Sequence, residues 1–134
     1  MNVAMLLKPK SMVSYIYADL TASEGLKEFI AGGYTAVPVI DRAGMYIGVV
    51  SERDFLYYML KNKDVDLTAS TEITVDKLIC SDRFQPVQID ADMDMLFSRI
   101  IEQNFVPVID SRGMFSGIVT RRDLLIRGKY GEKK

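Results

Sequence analysis

The chain has no histidine among its 134 residues, and Cys80 is its only cysteine. Histidine is the one side chain whose ordinary pKa lies near neutrality, and it supplies most catalytic dyads, triads and transition-metal sites. A single cysteine forms no internal disulfide and has no partner for a thiolate metal site. Much of ordinary enzyme chemistry is therefore excluded, and Cys80 is predicted to be a small buried or half-buried apolar residue.

The chain also lacks an excess of charge of one sign and lacks long apolar runs. Its 17 basic and 18 acidic residues give a net charge of -1, so no overall field attracts nucleic acid or an anionic membrane. The apolar runs, such as residues 37–40 and 47–50, are too short to span a bilayer, and the amino terminus does not resemble a signal peptide. We expect a cytoplasmic protein with no nucleic-acid or membrane partner, in which any phosphate recognition is local.

What the chain does have is an internal duplication. Residues 37–56, VPVIDRAGMYIGVVSERDFL, match residues 106–125, VPVIDSRGMFSGIVTRRDLL, at twelve of twenty positions with a constant offset of 69 residues. A duplicated unit of this size usually buries its open faces against its own copy. A groove between the copies is then the expected place for a ligand.

Within each copy the hydrophobic pattern alternates between strand and helix. Thr21 and Glu24 form a capping box at a helix start, and Gly32-Gly33 ends that helix. The predicted elements of the first copy are a strand at 14–17, this helix, strands at 36–41 and 46–50, and a helix from Arg53 to about Leu60 that Ser51 caps. Those of the second copy are a strand at 87–89, a helix at 92–103, strands at 106–110 and 115–119, and a helix after Thr120.

This order predicts an α/β (α+β) fold in which two β-α-β-β-α repeats pack about a pseudo-twofold axis. The predicted boundaries are a first repeat at 1–62, a linker at 63–72, a second repeat at 73–128 and a flexible tail at 129–134. A short helix at 73–79 is expected to lead into the second repeat. The closing helix is expected to be short, because Gly128 and Gly131 interrupt it.

One motif in each copy carries residues suited to binding a ligand. A strand ends with glycine, two apolar residues, a hydroxyl residue, two further residues and aspartate, from Gly48 to Asp54 and from Gly117 to Asp123. The motif places a hydroxyl and the free amides of a helix amino terminus where they can meet a phosphate. The carboxylate can accept hydrogen bonds from both hydroxyls of a ribose. The same residues are also ordinary helix caps, but their recurrence favours a ribonucleotide site.

Together with the VPVID strand, these paired motifs resemble a tandem CBS-domain pair, or Bateman module, over nearly the whole chain. The resemblance implies a regulatory, non-catalytic protein without a catalytic cofactor. Its ligand would be AMP, ADP, ATP, S-adenosylmethionine, NAD or cyclic di-AMP, bound in clefts between the repeats. The resemblance also implies a disc-like homodimer made by the helical faces near Phe29, Phe55 and Leu124. No segment of the sequence is left for a catalytic, transport or DNA-binding domain, so we expect an unidentified effector protein.

The resemblance assigns residues to two clefts, each taking the adenine on one repeat and the ribose phosphate on the other. Cleft one would join Ser14, Ile16, Tyr34, Thr35 and Ala36 to Thr120, Arg121, Arg122 and Asp123. Cleft two would join Val87, Asn104, Phe105 and Val106 to Ser51, Glu52, Arg53 and Asp54. Because cleft one has two arginines where cleft two has a glutamate and an arginine, cleft one is expected to be the principal site.

Several functions remain open from the sequence. The segments GYTAVPVID and TRR are similar to those of CBS proteins that bind cyclic di-AMP, but Asp123 suits a free ribose diol, which a cyclic dinucleotide lacks. A sensor of AMP, ADP or ATP is therefore favoured over a cyclic-di-AMP receptor, and over a scaffold with vestigial clefts. A metal-dependent nucleotide hydrolase is disfavoured, because acidic residues before a helix are stabilised by its dipole without a metal. Its candidate ligands are Asp54, Asp82, Asp90, Asp92 and Asp94.

Overall fold

The computed structural model describes residues 1–80 and 83–130, which divide into two compact units, each with its own apolar core. The first unit is residues 14–82, and the second unit combines residues 1–13 with residues 83–134. The elements in chain order are α1 (Val3–Leu6), β1 (Lys8–Pro9), β2 (Ile16–Tyr17), α2 (Ala22–Ala31), β3 (Ala36–Ile40), β4 (Tyr46–Ser51), α3 (Glu52–Lys61), α4 (Val75–Leu78), β5 (Val87–Gln88), α5 (Met93–Glu102), β6 (Phe105–Ile109), β7 (Phe115–Thr120) and α6 (Arg121–Tyr130).

The first unit is built on a three-stranded sheet. Its strand order is β2-β3-β4, with β2 parallel and β4 antiparallel to β3. The capping box predicted at α2 is confirmed, because the Glu24 amide donates to Thr21 Oγ1 at 3.1 Å and the Thr21 amide donates to Glu24 Oε1 at 2.9 Å. Gly32 caps the other end, and Gly33 follows with a φ of 67°, which glycine adopts without strain.

The aspartate of each VPVID segment has a structural role in the hairpin turn that follows it. Asp41 Oδ1 accepts hydrogen bonds from the amides two and four residues later, at 3.0 and 2.9 Å. Asp110 Oδ1 does the same at 2.8 and 3.0 Å. These contacts with the Met114 and Arg112 amides help hold the pKa of Asp110 below its usual value. Part of the sequence repeat therefore encodes a turn.

The second unit contains a strand that the sequence pattern does not predict. Its sheet has four strands in the order β1-β7-β6-β5, because β1 pairs antiparallel with β7. The preceding helix α1 buries Val3 and Leu6 in the same core, and each such burial stabilises the fold by about 2 kcal/mol. A four-residue helix and a two-residue strand are too short to show a hydrophobic period, so neither was visible in the sequence.

Gly117 is the position at which β1 comes closest to β7. Its φ is 147°, and a Cβ built there would lie 2.1 Å from the backbone oxygen of Lys8. Any other residue would collide with the β1 backbone. The glycine that opens the ligand motif is therefore required for strand pairing in this unit.

Two sequence predictions are wrong in the second half of the chain. Helix α6 runs from Arg121 to Tyr130 and so continues through Gly128, where nothing lies within 4 Å of a built Cβ. A glycine inside a helix costs only about 1 kcal/mol, which is too little to end one that packs on a core. Cys80 is exposed, not buried or half-buried.

The boundaries predicted for the repeats are not the boundaries of the compact units. The predicted linker at 63–72 lies within the first unit, whereas residues 1–13 lie within the second unit. The repeat boundaries describe sequence order and stay a prediction. Of the predicted tail, residues 131–134 lie outside the described residues, and residues 129 and 130 are the last two of α6.

Candidate functional site

The residues predicted to bind ligand lie at two kinds of place, at the entry to a strand and at the start of a helix. Within each unit these places are adjacent. The first amide of α3, at Glu52, donates to the Thr35 carbonyl at 3.0 Å, and the first amide of α6, at Arg121, donates to the Asn104 carbonyl at 2.9 Å. Each predicted cleft draws on both units, so the grouping of residues into clefts stays a prediction.

Some predicted residues can present only their backbone to a ligand. The side chains of Ile16, Val87 and Val106 are buried in the cores of their units. The remaining strand-entry residues are Ser14, Thr35 and Asn104, which are exposed, Tyr34 and Ala36, which are half-buried, and Phe105, which is buried.

The two motif aspartates have different environments. Asp54 is 2% exposed and both of its carboxylate oxygens accept hydrogen bonds within the first unit. Its Oδ2 accepts from the Ser51 amide at 2.8 Å and the Ser51 hydroxyl at 3.0 Å. Its Oδ1 accepts from the Cys80 amide at 3.4 Å and the Cys80 thiol at 3.3 Å. Asp54 is therefore the structural partner of Ser51 in the capping box of α3, with no free oxygen turned towards a ribose in this arrangement.

Cys80 contributes to this network as a protonated thiol. Loss of hydration, followed by the hydrogen bond to and charge of Asp54, raises the pKa of the Cys80 thiol above its usual value. The thiol therefore keeps its proton at neutral pH and donates it to the carboxylate.

Asp123 is the more accessible of the two motif aspartates. Its side chain is 32% exposed, and its Oδ2 lies 3.8 Å from Lys8 Nζ. Its amide donates to Thr120 Oγ1 at 3.0 Å, so Thr120 acts as the cap of α6. Asp123 borders a pocket of about 290 Å³ within the second unit, lined also by residues 5–9, Met12, Ile126 and Arg127. Its carboxylate can therefore accept hydrogen bonds from a bound molecule.

Arg121 is engaged away from this carboxylate. Its Nε donates to the Ile100 carbonyl at 3.0 Å and its Nη2 donates to the Ile101 carbonyl at 3.2 Å, in the last turn of α5. A cation at a helix carboxyl terminus is favourable, which explains this position. Arg122 is exposed, as are Glu52 and Arg53 in the first unit. Of the two arginines predicted to favour cleft one, only Arg122 is therefore left to meet a phosphate. The different environments of Asp54 and Asp123 now distinguish the two motifs.

The acidic segment before α5 has a structural explanation. Asp92 accepts a hydrogen bond from the Met95 amide at 2.8 Å and so caps the helix. Within residues 1–80 and 83–130, no three histidine, cysteine or carboxylate side chains are grouped closely enough to hold a metal ion. The same described residues contain no helix of the length and hydropathy needed to cross a membrane. Asp82 lies outside them.

Comparison with known proteins identifies similar sequences and folds. The family model of the CBS domain matches residues 9–61 and 74–129. Inosine-5′-monophosphate dehydrogenase of Methanocaldococcus jannaschii is 23% identical over 112 residues, which are 84% of this chain and only 21% of the dehydrogenase. Cyclic di-AMP receptor B of Bacillus subtilis is 27% identical over 113 residues, 84% of this chain and 76% of the receptor. The chain thus spans about a fifth of the length of the first of these relatives.

Two solved structures have the same fold. CbpB in complex with c-di-AMP has a TM-score of 0.86 at 22% identity, covering 96% of this chain and 85% of that one. CBSX2 in complex with AMP has a TM-score of 0.73 at 22% identity, covering 99% and 98% of the two chains. The duplicated motif, the two αβ units and the family model agree, and the chain belongs to the CBS-domain family.

Proposed function

We propose that this chain is a non-catalytic regulatory module of the cytoplasm that binds AMP, ADP or ATP between its two repeats. Occupancy would be transmitted to a partner protein that is not yet identified. The observation that carries the proposal is the Asp123 carboxylate, which is partly exposed beside a pocket and lies at the motif position suited to a ribose. CBSX2, whose fold is similar, has been solved with AMP.

The chemistry of Asp123 favours a nucleotide with a free diol. An ionised carboxylate is an acceptor with two oxygens, so it pairs with two neighbouring hydroxyl groups. In a cyclic dinucleotide the 3′ oxygen is esterified, so one of those two hydrogen bonds is lost. Regulation then requires that the nucleotide bind two conformations with different affinity.

A cyclic-di-AMP receptor is the second candidate. Its support is the similarity to cyclic di-AMP receptor B and to the fold of CbpB, which was solved with c-di-AMP. Lys8 also favours it, because an ammonium 3.8 Å from Asp123 offsets the repulsion between that carboxylate and a phosphodiester.

Thermal unfolding with a panel of nucleotides tests both candidates. A ligand at a hundredfold excess over its dissociation constant stabilises the folded chain by about 2.7 kcal/mol. For a chain of this size that corresponds to a rise in Tm of roughly 10 °C. We expect such rises with AMP, ADP or ATP and a smaller one with cyclic di-AMP. GMP and GTP are the matched controls, since they carry the same phosphates on another base.

The order of the Tm rises across the nucleotides decides between the two candidate functions. A larger rise with cyclic di-AMP than with the mononucleotides would support the second candidate. The absence of any rise would contradict both and favour a scaffold with vestigial clefts.

We further propose that two copies of the chain associate through helical faces. Phe29, Phe55 and Leu124, the residues that marked the predicted faces, are buried in the cores. Their neighbours carry the exposed apolar surface. On α5 and α6, Ile101 is 72% exposed and Leu125 is 68% exposed, beside an apolar pocket of about 540 Å³. On α2 and α3 the exposed apolar residues are Ile30, Leu56, Met59 and Leu60.

Charged substitutions on this surface test the homodimer. We expect Ile101→Asp combined with Leu125→Asp to convert a dimer to a monomer, because the interface would have to bury two unpaired charges from each copy. Size-exclusion chromatography with light scattering measures the mass of each variant. Ile47→Asp, on an exposed strand residue of the first unit, is the matched control and should leave the dimer intact. A double variant that stays dimeric would exclude these helices from the interface.

A further inference from the structure

In both units the residue two positions beyond a short helix contacts the motif aspartate. Helix α1 ends at Leu6, and Lys8 Nζ lies 3.8 Å from Asp123 Oδ2. Helix α4 ends at Leu78, and Cys80 Sγ lies 3.3 Å from Asp54 Oδ1. Lys8 and Cys80 therefore occupy equivalent positions, 72 residues apart, with different chemistry.

The residues before Lys8 and Cys80 support this equivalence. A Cβ built on Gly117 would lie 3.0 Å from Leu7 Cδ1, and one built on Gly48 would lie 3.3 Å from Ile79 Cδ1. Leu7 and Ile79 each pack against the core of their unit. The same local geometry thus brings the following residue to the motif aspartate in each case.

The two side chains affect their aspartates in opposite ways. Cys80 is short and neutral, and its amide and thiol complete the hydrogen bonds of a carboxylate that is 2% exposed. Lys8 is long and charged, its side chain is 42% exposed, and the carboxylate beside it remains 32% exposed. A bound molecule can therefore reach Asp123 and Lys8 together, whereas Asp54 is already fully paired.

The pocket at Asp123 combines apolar walls with separated charges. Leu6, Leu7 and Ile126 line it, together with Lys8, Asp123 and Arg127. The Arg127 Nη2 donates to the Met5 carbonyl at 3.4 Å, so its guanidinium is held at one wall. Lys8 is fixed at its backbone by the pairing of β1 with β7, which leaves the four-carbon stem to direct the ammonium.

We infer that Lys8 contacts the ligand and determines the specificity of the site. Its ammonium binds a phosphate next to the ribose hydroxyl groups that donate hydrogen bonds to Asp123. This inference rests on the proposed function and names the group that the second unit recognises. A carboxylate alone would repel a phosphate a few ångströms away, and the neighbouring ammonium removes that repulsion and adds a charge-assisted hydrogen bond. The site thus selects a phosphorylated nucleoside over the free nucleoside, and the first unit has Cys80 in place of the cation.

Calorimetric titration of Lys8→Met with AMP and with adenosine tests the inference. Methionine keeps the length and apolar stem of lysine but removes the charge. We expect the affinity for AMP to fall by about 10- to 100-fold, as for other hydrogen bonds between charged groups. The affinity for adenosine should stay within about twofold or increase, because Asp123 loses a competing cation. Lys8→Arg should retain most of the affinity for AMP.

Lys27→Met, an exposed lysine on α2 of the first unit, is the matched control and should bind AMP as the unaltered chain does. Circular dichroism verifies that Lys8→Met is folded. Equal losses for AMP and adenosine, or no loss for either, would overturn the inference while leaving the proposed function standing. If the unaltered chain binds none of AMP, ADP, ATP and adenosine, the proposed function fails and the inference fails with it.

Discussion

Asp54→Ala is expected to lower the free energy of unfolding by about 3 kcal/mol, because it removes the acceptor of four hydrogen bonds at once. The Ser51 amide and hydroxyl and the Cys80 amide and thiol all donate to this carboxylate, which is 2% exposed. Replacing the carboxylate by a methyl group would leave the buried Ser51 donors without this partner and would break the capping box at the start of α3. Urea unfolding followed by circular dichroism measures the change from the midpoint and slope.

Two companion variants isolate the cause of that loss. Asp64→Ala removes an exposed aspartate from the same unit and should change stability by less than about 0.5 kcal/mol. Cys80→Ala removes only the thiol and should cost about 1 kcal/mol, the usual value for one hydrogen bond. If Asp54→Ala were as stable as Asp64→Ala, the carboxylate would not have the structural role assigned to it.

Asp123→Ala is expected to weaken AMP binding by roughly 100-fold with little effect on stability. Two hydrogen bonds from ribose hydroxyls to an ionised carboxylate contribute about 1.5 kcal/mol each at the lower end of their range, and 1.4 kcal/mol is tenfold in affinity. The stability of the chain should change by less than about 1 kcal/mol, because the Asp123 carboxylate is 32% exposed and its ion pair with Lys8 spans 3.8 Å. Calorimetric titration measures the affinity, and urea unfolding measures the stability.

Comparing the AMP affinities of the Asp54→Ala and Asp123→Ala variants is a sharper test than either variant alone. Asp54→Ala, measured at a temperature where it is folded, should bind AMP within about threefold of the unaltered chain, because its carboxylate has no free oxygen for a ribose. Asp123→Asn keeps one acceptor oxygen and should retain part of the affinity. Equal losses of AMP binding in Asp54→Ala and Asp123→Ala would show that both motifs bind ribose and would contradict the asymmetry.

Features that depend on neighbouring residues could be predicted from the sequence. The capping box at Thr21 and Glu24 and the end of α2 at Gly32-Gly33 each follow from residues within five positions of one another. Their energetics are local, so the sequence pattern was sufficient. The strands and helices of both repeats were found for the same reason, apart from α1 and β1.

The environment of the motif aspartates could not be predicted, because it depends on residues that are distant along the chain. Asp54 and Asp123 stand in nearly identical motifs, yet one is paired with Cys80 and the other with Lys8. Residue type alone predicts a small apolar Cys80 and gives no sign of its contact with the Asp54 carboxylate. An alignment at an offset of 72 residues, which sets Val3 and Leu6 against Val75 and Leu78, would have brought Lys8 and Cys80 into correspondence.

The pairing of β1 with β7 has a consequence for the order in which the chain assembles. Residues 8 and 9 are translated more than a hundred residues before their partners at 117 and 118. The first unit is continuous in sequence and can form during synthesis, whereas the second must close a loop of more than a hundred residues. Until it closes, the outer edge of β7 is left open to pairing with other chains, so β1, which is translated long before β7, protects that edge from aggregation.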